Sequence, residues 1–219
     1  FPWQPNTSKS FTGSTNGMNK TEKIVYSLVL GFIPLVFLFV AIWFAAVSLF
    51  PEKNFFYFSF AGLAAGFLID FFFLKKGVLS CPKAPYWILI VIFLFYHIGM
   101  LGFFMGVPIF NAFMGILAGY YIGRRLQQSN LSEKQKKRIA RNTALFTPAI
   151  MMLICISSAT FALIDPTTPA NLEGMFRLRF NITQGILISF IIIGGVLLVG
   201  FTHWSTRFTI KRITTPKTP

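Results

Sequence analysis

The chain has 219 residues, 54% of them hydrophobic and 12% charged, with 28 phenylalanines and a formal net charge of +14. A soluble domain of this length needs a polar shell that these residues cannot build, and a β-barrel would show short alternating segments instead of continuous apolar runs. The positive charge lies at the ends of apolar runs, the pattern of basic cytoplasmic loops, so no nucleic-acid partner is expected.

Residues 1–18 come first. "FPWQPNTSKSFTGSTNG" is polar and lacks the apolar stretch of a signal peptide, so a disordered or non-native N-terminal segment is expected. Either Met18 opens the native chain at "MNKTEK", or the segment is a native disordered tail.

Six apolar runs follow, at 24–50, 55–74, 86–105, 107–123, 143–164 and 182–203. Each reaches or approaches the ~20 residues that carry a helix across ~30 Å of hydrocarbon. The expectation is an all-α integral membrane protein, a bundle of six transmembrane helices over 19–203 with a basic cytoplasmic tail at 204–219. Pro51 and the Pro166–Pro169 pair mark exits, while Pro34 and Pro148 lie inside spans and should kink them. Thr147 is placed to satisfy locally one carbonyl that Pro148 frees.

In span two, Asp70 stands among phenylalanines and is followed by Lys75 and Lys76. It lies ~22 Å along the helix from Phe55, in the cytoplasmic third. Such a carboxylate either binds an ion or proton, or snorkels and pairs with the lysines; depth favours the pairing. Gly62 and Gly66 share one face of this span, as Gly115 and Gly119 do in span four. Such faces let backbones approach closely, and packing within the chain is expected over a dimer contact. "FAGLAAGFLID" (60–70) also aligns with "FMGILAGYYIG" (113–123), a basic pair follows each, and Pro34–Pro51 is matched by Pro148–Pro166. The pattern suggests tandem helical-hairpin repeats.

Span three holds His97, the most central ionisable group, beside Tyr96. A mid-membrane histidine is a candidate ligand group; the competing reading is a neutral imidazole bonded to a neighbouring carbonyl. Asn111, at the outer part of span four, binds a ligand or holds helices together. The outer loop 165–181 carries Glu173, Arg177 and Arg179, which could gate or recognise an anionic group. There Thr168 can cap a short helix with Pro169 at its first position, and Leu172, Met175 and Phe176 share a face. The inner loop "LSEKQKKRIARN" reads as a basic amphipathic helix whose Lys134, Lys136, Lys137, Arg138 and Arg141 suit anionic lipid or a partner. His203 and Trp204 read as part of an inner aromatic belt.

Basic residues set the orientation. The N-terminal segment has three, the loop after span two three, the loop after span four seven and the tail four: seventeen, against three on the other side. Both termini are therefore expected in the cytoplasm, with the chain in the cell membrane. Cys81 and Cys155 offer neither a disulfide nor a metal site, no cofactor can be named, and no catalytic motif is present, which points away from an enzyme.

Two functions fit. One is a small-solute transport or substrate-binding membrane subunit, with its site near His97, Tyr96, Asn111 and the outer loop. Size, six spans and basic inner loops resemble the substrate-binding subunits of vitamin importers that borrow a separate ATPase module. That family carries an Ala-x-x-x-Ala patch toward the cytoplasmic end of its first helix, whereas Ala41 and Ala45 fall in the outer half of span one. The other is a non-catalytic scaffold, assembly or regulatory subunit of a larger membrane complex, meeting partner subunits or a second copy through its glycine faces and basic loop.

Overall fold

The computed structural model describes residues 20–49, 55–80, 84–103, 106–177 and 181–215. Among them every regular element is helical: α1 (Lys20–Leu49), α2 (Phe55–Ser80), α3 (Tyr86–Phe103), a 3-10 turn (Phe110–Phe113), α4 (Met114–Gln127), α5 (Glu133–Ile164), α6 (Thr168–Phe176) and α7 (Gln184–Thr214). Five helices, α1, α2, α3, α5 and α7, are long and apolar enough to cross a membrane. The fourth expected span is divided between the 3-10 turn and α4, which has 14 residues.

Residues 1–18, Pro51, Lys53, Cys81, Lys83, Arg179 and Lys217 lie outside the described residues, as do the side chains of Met175 and Phe176.

Helices outrun the apolar segments because local capping, not hydropathy, sets their ends. α5 begins ten residues before the expected span. Ser132 accepts from the Gln135 backbone N–H at 3.4 Å, and the Gln135 side chain accepts from the Ser132 N–H at 3.1 Å. Glu133 adds negative charge to that first turn. At 32 residues, α5 is ~48 Å long. α7 opens on Thr183, whose Oγ1 accepts from the Ile186 N–H at 3.4 Å, and ends with Lys211 and Arg212 in its last turn.

The chain divides into two compact units, Phe11–Pro85 and, for the rest of the described residues, Tyr86–Pro219. In the first, α1 and α2 run antiparallel. Gly62 meets Leu38, Gly66 meets Leu35 and Gly77 meets Leu30, so one helix index falls as the other rises. A Cβ on Gly62 would lie 2.7 Å from the Leu38 carbonyl oxygen, and one on Gly66 2.8 Å from the Leu35 Cα. These contacts are backbone on backbone. Lipid is as apolar as leucine, so close packing of this kind is a main source of helix association.

The expected pairing of Asp70 with Lys75 or Lys76 does not form. Among the described residues no ion pair joins them. Lysines five and six residues on turn away from the aspartate's face, whereas helix neighbours are three or four apart. The Asp70 carboxylate instead faces Gly31, with Oδ2 3.5 Å from where a Cβ would stand.

In the second unit α4 packs along α7 in parallel. Gly115 faces Thr202, Ser205 and Thr206, Gly119 faces Thr206 and Thr209, and Gly123 faces Ile213, at 2.9–3.0 Å from each ideal Cβ to its nearest atom. The two glycine pairs thus meet different partners: one the proline-bearing α1, the other α7 and not the proline-bearing α5. α5 runs antiparallel to α7, with Thr147 opposite Thr206 and Cys155 near Gly195. Ile122, Leu126 and Ile210 form a small core at the end where α4 and α7 stop and α5 begins.

Candidate functional site

His97 is fully buried on α3. Its Nδ1 lies 3.2 Å from the Phe93 carbonyl, one turn back, and its ring centroid 4.2 Å from that of Phe93. Phe93 in turn lies 5.9 Å from Phe146 of α5. A carbonyl only accepts, so Nδ1 carries the proton. Nε2 is buried with no hydrogen-bond partner.

Asn111, also fully buried, belongs to the 3-10 turn. Its Nδ2 donates to the His97 backbone carbonyl at 2.7 Å, which fixes the amide orientation, and its Oδ1 has no partner. The structure therefore brings His97 and Asn111 together, across a chain reversal that contains Gly106. That glycine has φ +83°, and its N–H closes onto the Leu101 carbonyl at 2.7 Å. Ser158 of α5 donates to the Gly106 carbonyl and ties the reversal down. Tyr96 is half-buried with its ring edge-on to Phe95, on a face ~100° away from its neighbour His97.

The loop expected on the outer side, 165–181, is separate in construction. Glu173 accepts from the Ile182 N–H, so its carboxylate latches the end of α6 to the start of α7. Arg177 ends α6 in the left-handed region at φ 50°, exposed. The cap of α6 is Thr167, one residue before the expected Thr168, and Leu172 is half-buried. Asp165 accepts from the Thr167 N–H at 2.9 Å and the Thr167 hydroxyl at 2.8 Å, and these bonds hold its carboxyl below the usual carboxylate range.

At the opposite end, Lys134, Lys137, Arg138 and Arg141 are exposed. Lys136 pairs with Glu133 at 3.2 Å. Arg124 donates to Gln127, and Arg125 is buried with its guanidinium 4.2 Å over the Tyr86 ring. The exposed Arg207, Lys211 and Arg212 of α7 stand at this same end. Among the described residues no cluster of His, Cys, Asp and Glu could hold a metal ion.

Sequence reasoning missed a polar seam between α4, α5 and α7. The Thr206 hydroxyl donates toward the Thr202 and Gly115 carbonyls at 2.8 and 3.1 Å, so Thr147 donates to Thr206, at 2.9 Å. The carbonyl freed by Pro148 belongs to Ala144 and is bonded by His203, not by Thr147. The signal was present: a proline four residues after Ala144 requires an outside donor, and His203 was one of few. Its partner could not be read, because 59 residues separate the two.

Compared with protein-family models, curated proteins and solved structures, the chain gives no match.

Proposed function

We propose that the chain is a multi-pass protein of the cell membrane, crossing six times with both termini cytoplasmic. It binds a small solute at the His97–Asn111 junction as a transport or substrate-binding subunit. The observation that carries this reading is the pair of fully buried polar atoms without partners, His97 Nε2 and Asn111 Oδ1. Leaving one such atom unsatisfied costs about 1–3 kcal/mol, so each calls for a group to complete it.

Two features support the topology. The 3-10 turn and α4 together extend ~29 Å, close to a hydrocarbon core. The parallel run of α4 and α7 suits fourth and sixth spans that both lead inward, and it gathers their basic ends with the start of α5. That end is proposed to meet anionic lipid of the cytoplasmic leaflet. The glycine faces a scaffold would offer to partners are filled by helices of this chain, which favours solute binding over assembly.

Native mass spectrometry of the gently extracted chain tests the reading. A bound small molecule should be present, and His97→Ala should reduce it at unchanged expression. Loss of the molecule on Asp70→Asn with His97→Ala silent would move the site to α2.

A further inference from the structure

Along α7 the exposed surface changes chemistry at one level. From Gln184 to Trp204 the helix rises ~30 Å, one hydrocarbon core. Ile193, Val196, Leu197 and Phe201 are exposed over that length. Trp204 follows, 59% exposed, with its ring stacked on that of Phe208 at 5.3 Å between centroids and 16° between planes. Then come the exposed bases Arg207, Lys211 and Arg212. Residues three and four apart adjoin on a helix, so Trp204, Arg207, Phe208, Lys211 and Arg212 make one patch. Resting on the reading that this end meets the cytoplasmic leaflet, we infer that the patch is a binding site for an anionic phospholipid. Arg207 and Lys211, helix neighbours, take the phosphate, and the Trp204 and Phe208 rings carry the roots of the acyl chains.

Direction selects α7 over the more basic start of α5. Side chains lean toward the N-terminus of their helix. α7 leaves the membrane at this end, so its bases lean back toward the bilayer. The Arg212 guanidinium does so, 5.9 Å over the Phe208 ring one turn earlier. α5 enters the membrane here, so its bases lean off the bilayer, as Lys136 does in reaching Glu133 at 3.2 Å. Height acts in the same sense. The bond from His203 to the Ala144 carbonyl sets the two helices level. From Ala144, Lys134, Lys137 and Arg138 stand ~15, ~10 and ~9 Å out, past a headgroup layer of ~5–7 Å. Arg207 stands ~6 Å out from His203, within that layer, and Lys211, ~12 Å out, leans back into it. No carboxylate competes: α7 carries none, and among the described residues the three bases form no ion pair.

The test uses the full chain in detergent with phosphatidylglycerol and phosphatidylcholine of matched acyl chains, read by native mass spectrometry. The unaltered chain should retain phosphatidylglycerol in preference. Arg207→Gln, Lys211→Gln and Arg212→Gln together should cut that preference by at least about fivefold, the worth of one base at an anionic surface. Lys134→Gln, Lys137→Gln and Arg138→Gln together remove the same charge and should leave it little changed. Glycerol 1-phosphate, a headgroup without chains, should not displace the lipid. A second measurement leaves every charge in place. With Trp3→Phe, Trp43→Phe and Trp87→Phe, Trp204 is the sole tryptophan. In nanodiscs, phosphatidylglycerol with brominated chains should then quench it more than the same mole fraction of brominated phosphatidylcholine.

Equal losses in the two triple variants, or a larger loss in the α5 variant, would mean attraction by net charge without a site and overturn the inference. So would equal quenching by the two brominated lipids, or no preference for phosphatidylglycerol on the unaltered chain. Displacement by glycerol 1-phosphate would make the site one for soluble phosphates and not for lipid. The underlying reading fails differently: labelling of Ser132→Cys from outside intact cells removes the cytoplasmic orientation and leaves the lipid preference, measured without a cell, as it was.

Discussion

The Nδ1 of His203 on α7 lies 2.7 Å from the backbone carbonyl oxygen of Ala144 on α5. That oxygen would ordinarily accept from the residue four positions on, but that residue is Pro148, which has no N–H. A side chain from another helix thus replaces the missing backbone donor. The bond makes the proline tolerable where no water reaches the backbone.

His203→Phe should therefore destabilise the chain by about 1–3 kcal/mol, the penalty for an orphaned buried carbonyl. Pro148→Ala restores a backbone donor to Ala144. In the Pro148→Ala background the His203→Phe penalty should shrink to a few tenths of a kcal/mol, the coupling a double-mutant cycle measures. Additive penalties from thermal unfolding in detergent would show that His203 supports something other than this carbonyl.

The α1–α2 contact depends on absent side chains. Gly66→Ala sets a methyl 2.8 Å from the Leu35 Cα and Gly62→Ala one 2.7 Å from the Leu38 oxygen. Neither backbone can yield without separating the helices, so each should lower stability by about 1–3 kcal/mol. Gly99→Ala meets nothing within 4 Å, and it should be neutral or stabilising by up to ~1 kcal/mol. Equal effects at all three positions would remove the packing argument.

Lys75→Ala and Lys76→Ala should each change stability by less than ~0.5 kcal/mol, since neither lysine is bonded to Asp70. Asp70→Asn should leave retention of the solute intact, because the carboxylate faces Gly31 on α1. A stability loss shared by Asp70→Asn and either lysine variant, non-additive when combined, would reveal the ion pair after all.

The turn before α6 should respond to acid. Bonds from Thr167 hold the Asp165 carboxyl below its unfolded value, so its contribution is fully present above the unfolded pKa and is lost as pH falls through the lower, folded one. Hydrogen-exchange protection of the Thr167 amide should drop in that acid range. In Asp165→Asn, whose side chain still accepts a bond but does not titrate, protection should be flat with pH.

Cysteines at Ser132 and Thr167, in a background with Cys81 and Cys155 replaced by serine, flank α5. Impermeant reagents should label Thr167→Cys from outside intact cells and Ser132→Cys only after permeabilisation. Labelling of both from one side would defeat the proposed orientation.

How far the sequence carried the reading differs by element. Apolar length located α1, α2, α3, α5 and α7, because the hydrocarbon core imposes one dimension on every crossing. It did not reveal that the fourth segment splits at Phe113, since the change from 3-10 to α geometry at Met114 alters no residue type. Asn111 and His97 were each legible as polar groups in apolar runs. Their bond was not, because it depends on the reversal at Gly106. Asp70 shows the opposite error: proximity in sequence suggested its partners, and the 100° step of the helix separates them.

The parallel seam of α4 and α7 has a consequence for biogenesis. The ribosome delivers α4 before α5 and α7, yet the surface that accepts Gly115, Gly119 and Gly123 belongs to α7 alone. Until α7 emerges, α4 is a short helix with an open glycine groove. Packing of α7 closes that groove, so the seat of α4 is made only after α7 has been delivered.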